Sequence, residues 1–289
     1  MNLHETPRNI FTTIRFHLPN LSRVERKIAE YLLKHPEEAS SLSLAETAKR
    51  CGCGEASVVR FSRLIGCGSY TEMKQLLSTQ QDSEAGVQGI RIESEEPIRE
   101  LADSICSLYI ETIQRTMELN PARQFETAVR YLSEAKSIYF FGIGDALVPC
   151  ECGYYRFRRI GFPCFFDADA DMQMIHAANI REGDAAIAIS HSGLTRHVVR
   201  AVRAARDAGA RIIGITQSSR SPFDKYCDLV FYNAVSDITI GKTIVAHRLA
   251  ESTIIEILYA GVVSQMPEKA MQMLLASSDV MKVNKEDDA

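Results

Sequence analysis

The sequence predicts three parts: an all-α helix-turn-helix head over residues 1–80, a linker over 81–96, and a doubly wound α/β domain with a five-stranded parallel sheet over 97–289. Three observations predict it. Residues 21–77 carry apolar side chains at helical spacing, interrupted by the glycine breaks "CGCG" and "GCG". The stretch "QDSEAGVQGIRIESE" is polar, with glycine, charge and little periodicity. Beyond it, the short apolar runs "SIYFFGIG", "CFFDA", "AAIAIS", "ARIIGIT" and "LVFYN" are mostly separated by helical segments. That texture belongs to βαβ units, whose parallel sheet is buried on both faces.

Each element follows in order. "LSRVERKIAEYLLKH" places Val24, Ile28, Tyr31 and Leu32 near the 3.6 period, and Pro36 stops it. Ala45–Arg50 forms a support helix. Gly52 permits a positive φ at the turn. Gly54 then stands at the N-cap of a second helix, Glu55–Ile65, whose core stripe is Val58, Phe61 and Ile65. Ser69 with Glu72 three residues on makes a capping box for another helix. "PIRELADSICSLYIETIQRTMEL" and "ARQFETAVRYLSEA" read as helices before the first strand. "LVPCECGYYRFRRI", "DMQMIHAANI" and "TRHVVRAVRAARDAG" are the helices between strands, and "TIVAHRLAESTIIEILYAGVVS" is one long closing helix.

Composition narrows the class. With 46% hydrophobic and 24% charged residues the chain is that of a soluble globular protein. No apolar run approaches the roughly 20 residues of a membrane span, and "MNLHETPRNIFTTIRF" is too polar for a signal peptide. The expectation is a cytoplasmic protein. The cysteines at 51, 53, 67, 106, 150, 152, 164 and 227 lack paired C-x-x-C spacing, so they read as free thiols, with no metal and no cofactor expected. Net charge is unevenly spread. Residues 1–80 hold 11 Lys and Arg against 8 Asp and Glu, and the remainder holds 22 against 29. A mildly basic head on an acidic body fits a head that meets nucleic acid.

In the head, the second helix of the motif would enter the major groove. Glu55, Ser57, Arg60 and Arg63 lie mostly away from the core stripe, where Ser57 can bond phosphate and the arginines can reach phosphate or guanine. Lys49, Arg50 and Lys74 would add sequence-independent grip.

In the α/β domain two strand ends stand out. "FFGIGDA" presents Gly142, Gly144 and Asp145, and "AIAISHSGLT" presents Ser190, His191, Ser192, Gly193 and Thr195 at the mouth of a helix. Ligands of open parallel sheets bind beyond the carboxyl ends of the strands, and a helix N-terminus favours an anion. Leu147 stands where a dinucleotide fingerprint needs its third glycine, which argues against a nicotinamide cofactor. The hydroxyls look built to hold phosphate or sugar oxygens; one or two of them capping the next helix is the plainer alternative.

These motifs carry a resemblance. "GIGDA", "DADADMQMIHAANIREGDAAIAISHSGLTRHVVRAVRAARDAGARIIGIT" and "SPFDKYCDLVFY" resemble a sugar isomerase (SIS) domain. "LSRVERKIAEYLLKHPEEASSLSLAETAKRCGCGEASVVRFSRLIGCGSYTEMK" resembles the helix-turn-helix of RpiR-type transcriptional regulators, and the two together span nearly the whole chain. The resemblance implies a dimeric or tetrameric, DNA-binding regulator of sugar catabolism, without catalytic activity, whose SIS domain senses a phosphosugar or sugar acid. Departures from the pattern bear on the ligand. Asp145 stands where the family usually has serine, Asp171 where histidine is common after Asp169, and Asp237 roughly where glutamate is frequent. A carboxylate repels a phosphate dianion unless a cation or proton intervenes. The effector is therefore expected to carry an amine, or to present hydroxyls to Asp145.

The rival class is an aldose–ketose sugar-phosphate isomerase, which needs a general base; His176, His191, His197 and His247 are its candidates. A purely structural partner would need no convergent hydroxyls.

Overall fold

A computed structural model of the chain describes residues 10–18, 21–79, 97–217, 221–234, 239–240, 243–244 and 247–282. Its elements in chain order are α1 (Ile10–His17), α2 (Arg23–Lys34), α3 (Pro36–Ser41), α4 (Leu44–Arg50), α5 (Glu55–Leu64), α6 (Tyr70–Thr79), α7 (Ile98–Leu119), α8 (Ala122–Ser133), β1 (Ile138–Phe141), α9 (Leu147–Arg159), β2 (Cys164–Phe165) and α10 (Ala170–Asn179). There follow β3 (Ala185–Ile189), α11 (Arg196–Asp207), β4 (Arg211–Thr216), β5 (Leu229–Tyr232), β6 (Thr239–Ile240), β7 (Thr243–Ile244), α12 (His247–Gln265) and α13 (Pro267–Lys282). Two compact units result: Met1–Leu119 with Ala234–His247, and Asn120–Asn233 with Arg248–Ala289. The linker expected over 81–96 lies outside the described residues.

Among its described residues the first unit is helical apart from one short hairpin. Ser22 with Glu25, and Ser43 with Glu46, form reciprocal capping boxes that start α2 and α4. Pro36 enters at the first turn of α3, where its missing N–H costs nothing. α4 ends in a Schellman motif. The Cys53 N–H reaches Ala48 O at 3.0 Å, the Gly52 N–H reaches Lys49 O at 3.2 Å, and Gly52 takes φ +62°. That motif makes the sharp turn into α5. Phe11, Ile14, Ile28, Leu32, Val58, Phe61, Met73 and Leu77 fill one core beneath it. The expected capping box at Ser69 is modified. Ser69 Oγ accepts from Glu72 N at 3.1 Å, but the Glu72 carboxylate takes the Gly68 N–H at 2.7 Å instead of that of Ser69. Burial pushes the Cys51 and Cys67 thiols up to about 11.

The second unit contains a five-stranded sheet in the order β2-β1-β3-β4-β5, with parallel pairing throughout. The chain reverses direction across the sheet between β1 and β3, the switch point where ligands of such sheets bind. β1, β3 and nearly all of β4 are buried, which is why their sequences are continuous apolar runs and not alternating ones. One face packs Tyr139, Phe141, Ala186, Ala188 and Ile212 against Ala177 of α10 and Val198, Ala201 and Val202 of α11. On the other side a Cβ on Gly153 of α9 would fall 2.5 Å from the Phe140 ring and 3.2 Å from Ile255 of α12, so the α9 backbone lies directly against the Phe140 side chain of β1.

β5 is an edge strand whose open side is covered by side chains. Asn120 Nδ2 donates to Tyr232 O and Asn120 Oδ1 accepts from Tyr232 N, both at 2.8 Å. Gln124 Nε2 donates to Val230 O.

The carboxyl end of the chain departs from the expected single helix. Thr243 and Ile244 pair antiparallel with Thr239 and Ile240, and the described helix begins at His247. A further helix, α13, begins at Pro267, which preorganises a first turn as readily as it ends the preceding helix.

Candidate functional site

β1 ends in the turn expected from "FFGIGDA". A Cβ on Gly142 would lie 2.8 Å from Cys150 Sγ and 3.1 Å from Ala146, so only glycine lets the strand end sit against α9. Gly144 adopts φ +65° and opens a 3-10 turn through Ala146, with Asp145 exposed. Gln173 of α10, 3% exposed, fixes this turn. Its Oε1 accepts from Gly142 N at 3.1 Å, and its Nε2 donates to Gly142 O at 2.7 Å and to Asp167 O at 2.8 Å.

At the end of β3, Ser190 is 2% exposed and its N–H still pairs with Ile215 O. The loop then turns back, with Gly193 N donating to Ser190 O at 2.9 Å and Gly193 at φ +65°. A Cβ there would come within 2.3 Å of Ser221 Oγ. His191 O accepts from Gln217 N and from Thr216 Oγ1, which ties the loop to the end of β4. Thr195 is the N-cap of α11, yet its side chain makes no capping bond; Ser190 Oγ lies 3.3 Å from Thr195 Oγ1. Ser192 Oγ accepts only locally, from Leu194 N at 3.2 Å. The capping alternative for these hydroxyls is therefore set aside. No acidic residue stands in the first turn of α11, which leaves its partial positive charge to an anion.

Residues that sequence reasoning missed lie beside these loops. Glu251 of α12 is 0% exposed. Its Oε1 accepts from Asn233 Nδ2 at 2.9 Å and stands 3.9 Å from His191 Nδ1. Among the described residues Glu251 Oε2, Asn233 Oδ1 and Gln217 Nε2 are buried without a hydrogen-bond partner. Burial pushes the Glu251 carboxyl up to about 8; the Asn233 bond opposes this, the Asp145 charge adds to it, and Arg248 opposes it. A signal was present. Glu251 falls on the same helical stripe as the buried Ile254, Ile255, Leu258 and Val262, an apolar stripe that should hold no carboxylate.

Other candidates sit elsewhere. His176 packs against the rings of Tyr139 and Phe165 near the edge strand β2, so it is an aromatic neighbour and not a base at the strand ends. Asp169 is the N-cap of α10, accepting from Met172 N at 2.9 Å, and Asp171 follows exposed in that helix's first turn. His197 is exposed in the first turn of α11, and His247 opens α12. Asp237 lies outside the described residues.

In the head, Val58 and Phe61 face the core while Glu55, Arg60 and Arg63 are exposed on α5. Arg60 Nη2 donates to Ser57 Oγ at 3.1 Å, which pairs these two on one side of the helix. Arg50 bridges to Glu38 at 2.8 Å and Lys74 Nζ donates to Ser41 O at 3.0 Å, so both are partly engaged within the head. Lys49 is exposed. No helix among the described residues is long and apolar enough to cross a membrane.

Known proteins bear on this geometry. A helix-turn-helix domain of the rpiR family matches residues 8–84, and a SIS domain matches residues 131–260. An uncharacterised HTH-type transcriptional regulator of Caldanaerobacter subterraneus is 28% identical over 277 residues, 96% of this chain and 98% of that protein. The HTH-type transcriptional regulator HexR of Pseudomonas aeruginosa is 28% identical over 255 residues, covering 88% and 89% of the two chains. Among solved structures, the Vibrio vulnificus NanR protein complexed with ManNAc-6P superposes with a TM-score of 0.61 at 19% identity, over 96% of this chain and 100% of that one. The last likeness speaks for the fold.

Proposed function

Because this chain belongs to the RpiR-type transcriptional regulators, a helix-turn-helix domain of the rpiR family followed by a SIS domain, we propose a division of labour between its two ends. The head reads operator DNA with α5: Arg60 and Arg63 reach base edges or phosphates, Glu55 and Ser57 flank them, and Lys49, Arg50 and Lys74 neutralise backbone charge. The loops after β1 and β3 hold a sugar or phosphosugar effector through Gly142, Gly144, Asp145, Ser190, His191, Ser192, Gly193 and Thr195.

The observation that carries the effector reading is at Thr195. It stands at the N-cap of α11 with its hydroxyl accepting from Ser190 Oγ and not from the helix, so Thr195, Ser190 and the exposed Ser192 gather at a helix whose first turn holds no acidic residue. ManNAc-6P bound to the NanR relative is consistent with that class of ligand. Our reading places the protein in the cytoplasm as a homodimer or homotetramer, with two heads on two half-sites of a roughly palindromic operator. Effector binding then changes operator affinity through a coupling free energy.

We assign the chain no catalysis, in keeping with relatives named as transcriptional regulators. The test has two arms. A thermal-shift panel of sugars, amino sugars, sugar acids and their phosphates should identify a ligand that changes the affinity of the protein for genomic fragments it selects. Incubation with sugar phosphates should give no isomerisation above background. Turnover, or an unchanged response in Ser192→Ala, would contradict this function.

A further inference from the structure

The strand ends of the SIS domain offer two chemically opposite sets of groups. Hydroxyls and helix amides stand at the β3 loop. Acceptor oxygens stand on the residue after β5 and on α12. There Glu251 and Asn233 are both 0% exposed, and each keeps one oxygen, Oε2 and Oδ1, without a hydrogen-bond partner among the described residues. Asn233 Nδ2 donates to Glu251, and the Asn233 atom left over is the oxygen. A buried acceptor without a donor keeps the full cost of its lost hydration. Two such oxygens held together by a shared hydrogen bond, next to a ligand loop, are matched to donors that arrive from outside.

The chemistry of the pair selects the donor. Once Glu251 is ionised the pair offers only acceptors, and a hydroxyl, with one hydrogen and two lone pairs, is then left partly unmatched. A primary ammonium brings three hydrogens, no lone pair and a positive charge. Titratable and charged groups near Glu251 come from several elements: Asp145 after β1, the neutral thiol of Cys150 on α9, His191 after β3 with Nδ1 at 3.9 Å, and Arg248 of α12. Asp145 supplies a negative field at this end of the site.

We propose that the effector is an amine-bearing sugar or sugar phosphate whose ammonium docks on Glu251 and Asn233 beside Asp145, with its other end on the Ser190–Thr195 loop. The inference rests on the reading of these loops as the effector site. It carries a proton with it. In the free protein burial keeps Glu251 protonated near neutral pH, since its carboxyl is raised to about 8. An arriving ammonium stabilises the carboxylate, so the Glu251 proton leaves to solvent on binding.

Isothermal titration of the full chain tests this with matched probes: glucosamine 6-phosphate, glucose 6-phosphate and N-acetylglucosamine 6-phosphate, and the corresponding mannose series. At pH 7 the amine probe of one series should bind about ten-fold tighter than its hydroxyl and acetylated partners, as a charge-assisted contact allows. Titration in buffers of different ionisation enthalpy should show net proton release. Glu251→Gln, which keeps an oxygen for Asn233, should erase the preference, and Asp145→Asn should weaken it. Equal affinities, or a preference that survives in Glu251→Gln, overturns the proposal. If Ser192→Ala weakens all probes while amine and hydroxyl bind alike, this inference alone falls. If no probe binds, or Ser192→Ala changes none, the effector-site reading falls with it.

Discussion

Gln173 grips Gly142 by both sides of its backbone: the amide oxygen takes the glycine N–H and the amide nitrogen holds the glycine carbonyl. A helix side chain thus substitutes for a strand neighbour where the sheet ends. Gln173→Ala leaves three buried backbone groups unpaired, counting Asp167 O. The expected loss is about 2–4 kcal/mol of unfolding free energy, measured by urea denaturation. An unchanged midpoint would mean that water takes the place of the side chain.

Two glycines share φ +65° but differ in surroundings. Nothing lies within 4 Å of a Cβ on Gly144, whereas one on Gly193 would collide with Ser221. Gly144→Ala should cost only the backbone strain, about 1–2 kcal/mol. Gly193→Ala should cost clearly more and abolish the effector-induced thermal shift. Equal melting temperatures for the two variants would refute the close approach at Ser221.

Arg60→Ala should lower operator affinity by about 1–3 kcal/mol and relax sequence preference, with effector binding unchanged. Lys49→Ala should weaken binding to all sequences alike and reduce the salt slope by about one. Fluorescence anisotropy across a salt series separates the two. Retained operator affinity would take Arg60 off the DNA face.

Glu251 makes stability depend on pH. Its carboxyl is raised from 4.5 to about 8 on folding, so the native state binds a proton the unfolded chain has already lost. Stability from the neutral form is fully present below 4.5 and falls as pH rises towards about 8. The slope is at most about 1.4 kcal/mol per pH unit. Glu251→Gln removes this dependence, so its melting temperature should gain on the parent between pH 5 and pH 8. Parallel curves would show that Glu251 is not held neutral.

How legible all this was depended on whether a residue's environment was local. The three central strands can be read because "YFF", "AAIAI" and "IIGI" are buried on both faces and leave continuous apolar runs. The head's turn could be read because Gly52 answers a local demand for positive φ. The hydroxyls of the β3 loop were also visible. Glu251 was not singled out, since it meets Asn233 and His191 only when α12 folds back across the strand ends. Gln173 was hidden for the same reason: its partner lies 31 residues away. Thr243 and Ile244 fall at the start of an apolar run that reads as helix, and strands of two residues each are too short to show a period of two.

The covering of β5 by Asn120 and Gln124 limits how copies of this chain can join. Their amides already occupy the N–H and carbonyl groups of Tyr232 and the carbonyl of Val230, which an added strand would need. The opposite border, β2, offers a ladder of only two residues. The sheet therefore cannot be prolonged from one molecule into another across β5, and β2 is too short to template it. Copies of this chain that associate have to meet through helices and loops, not through a continued sheet.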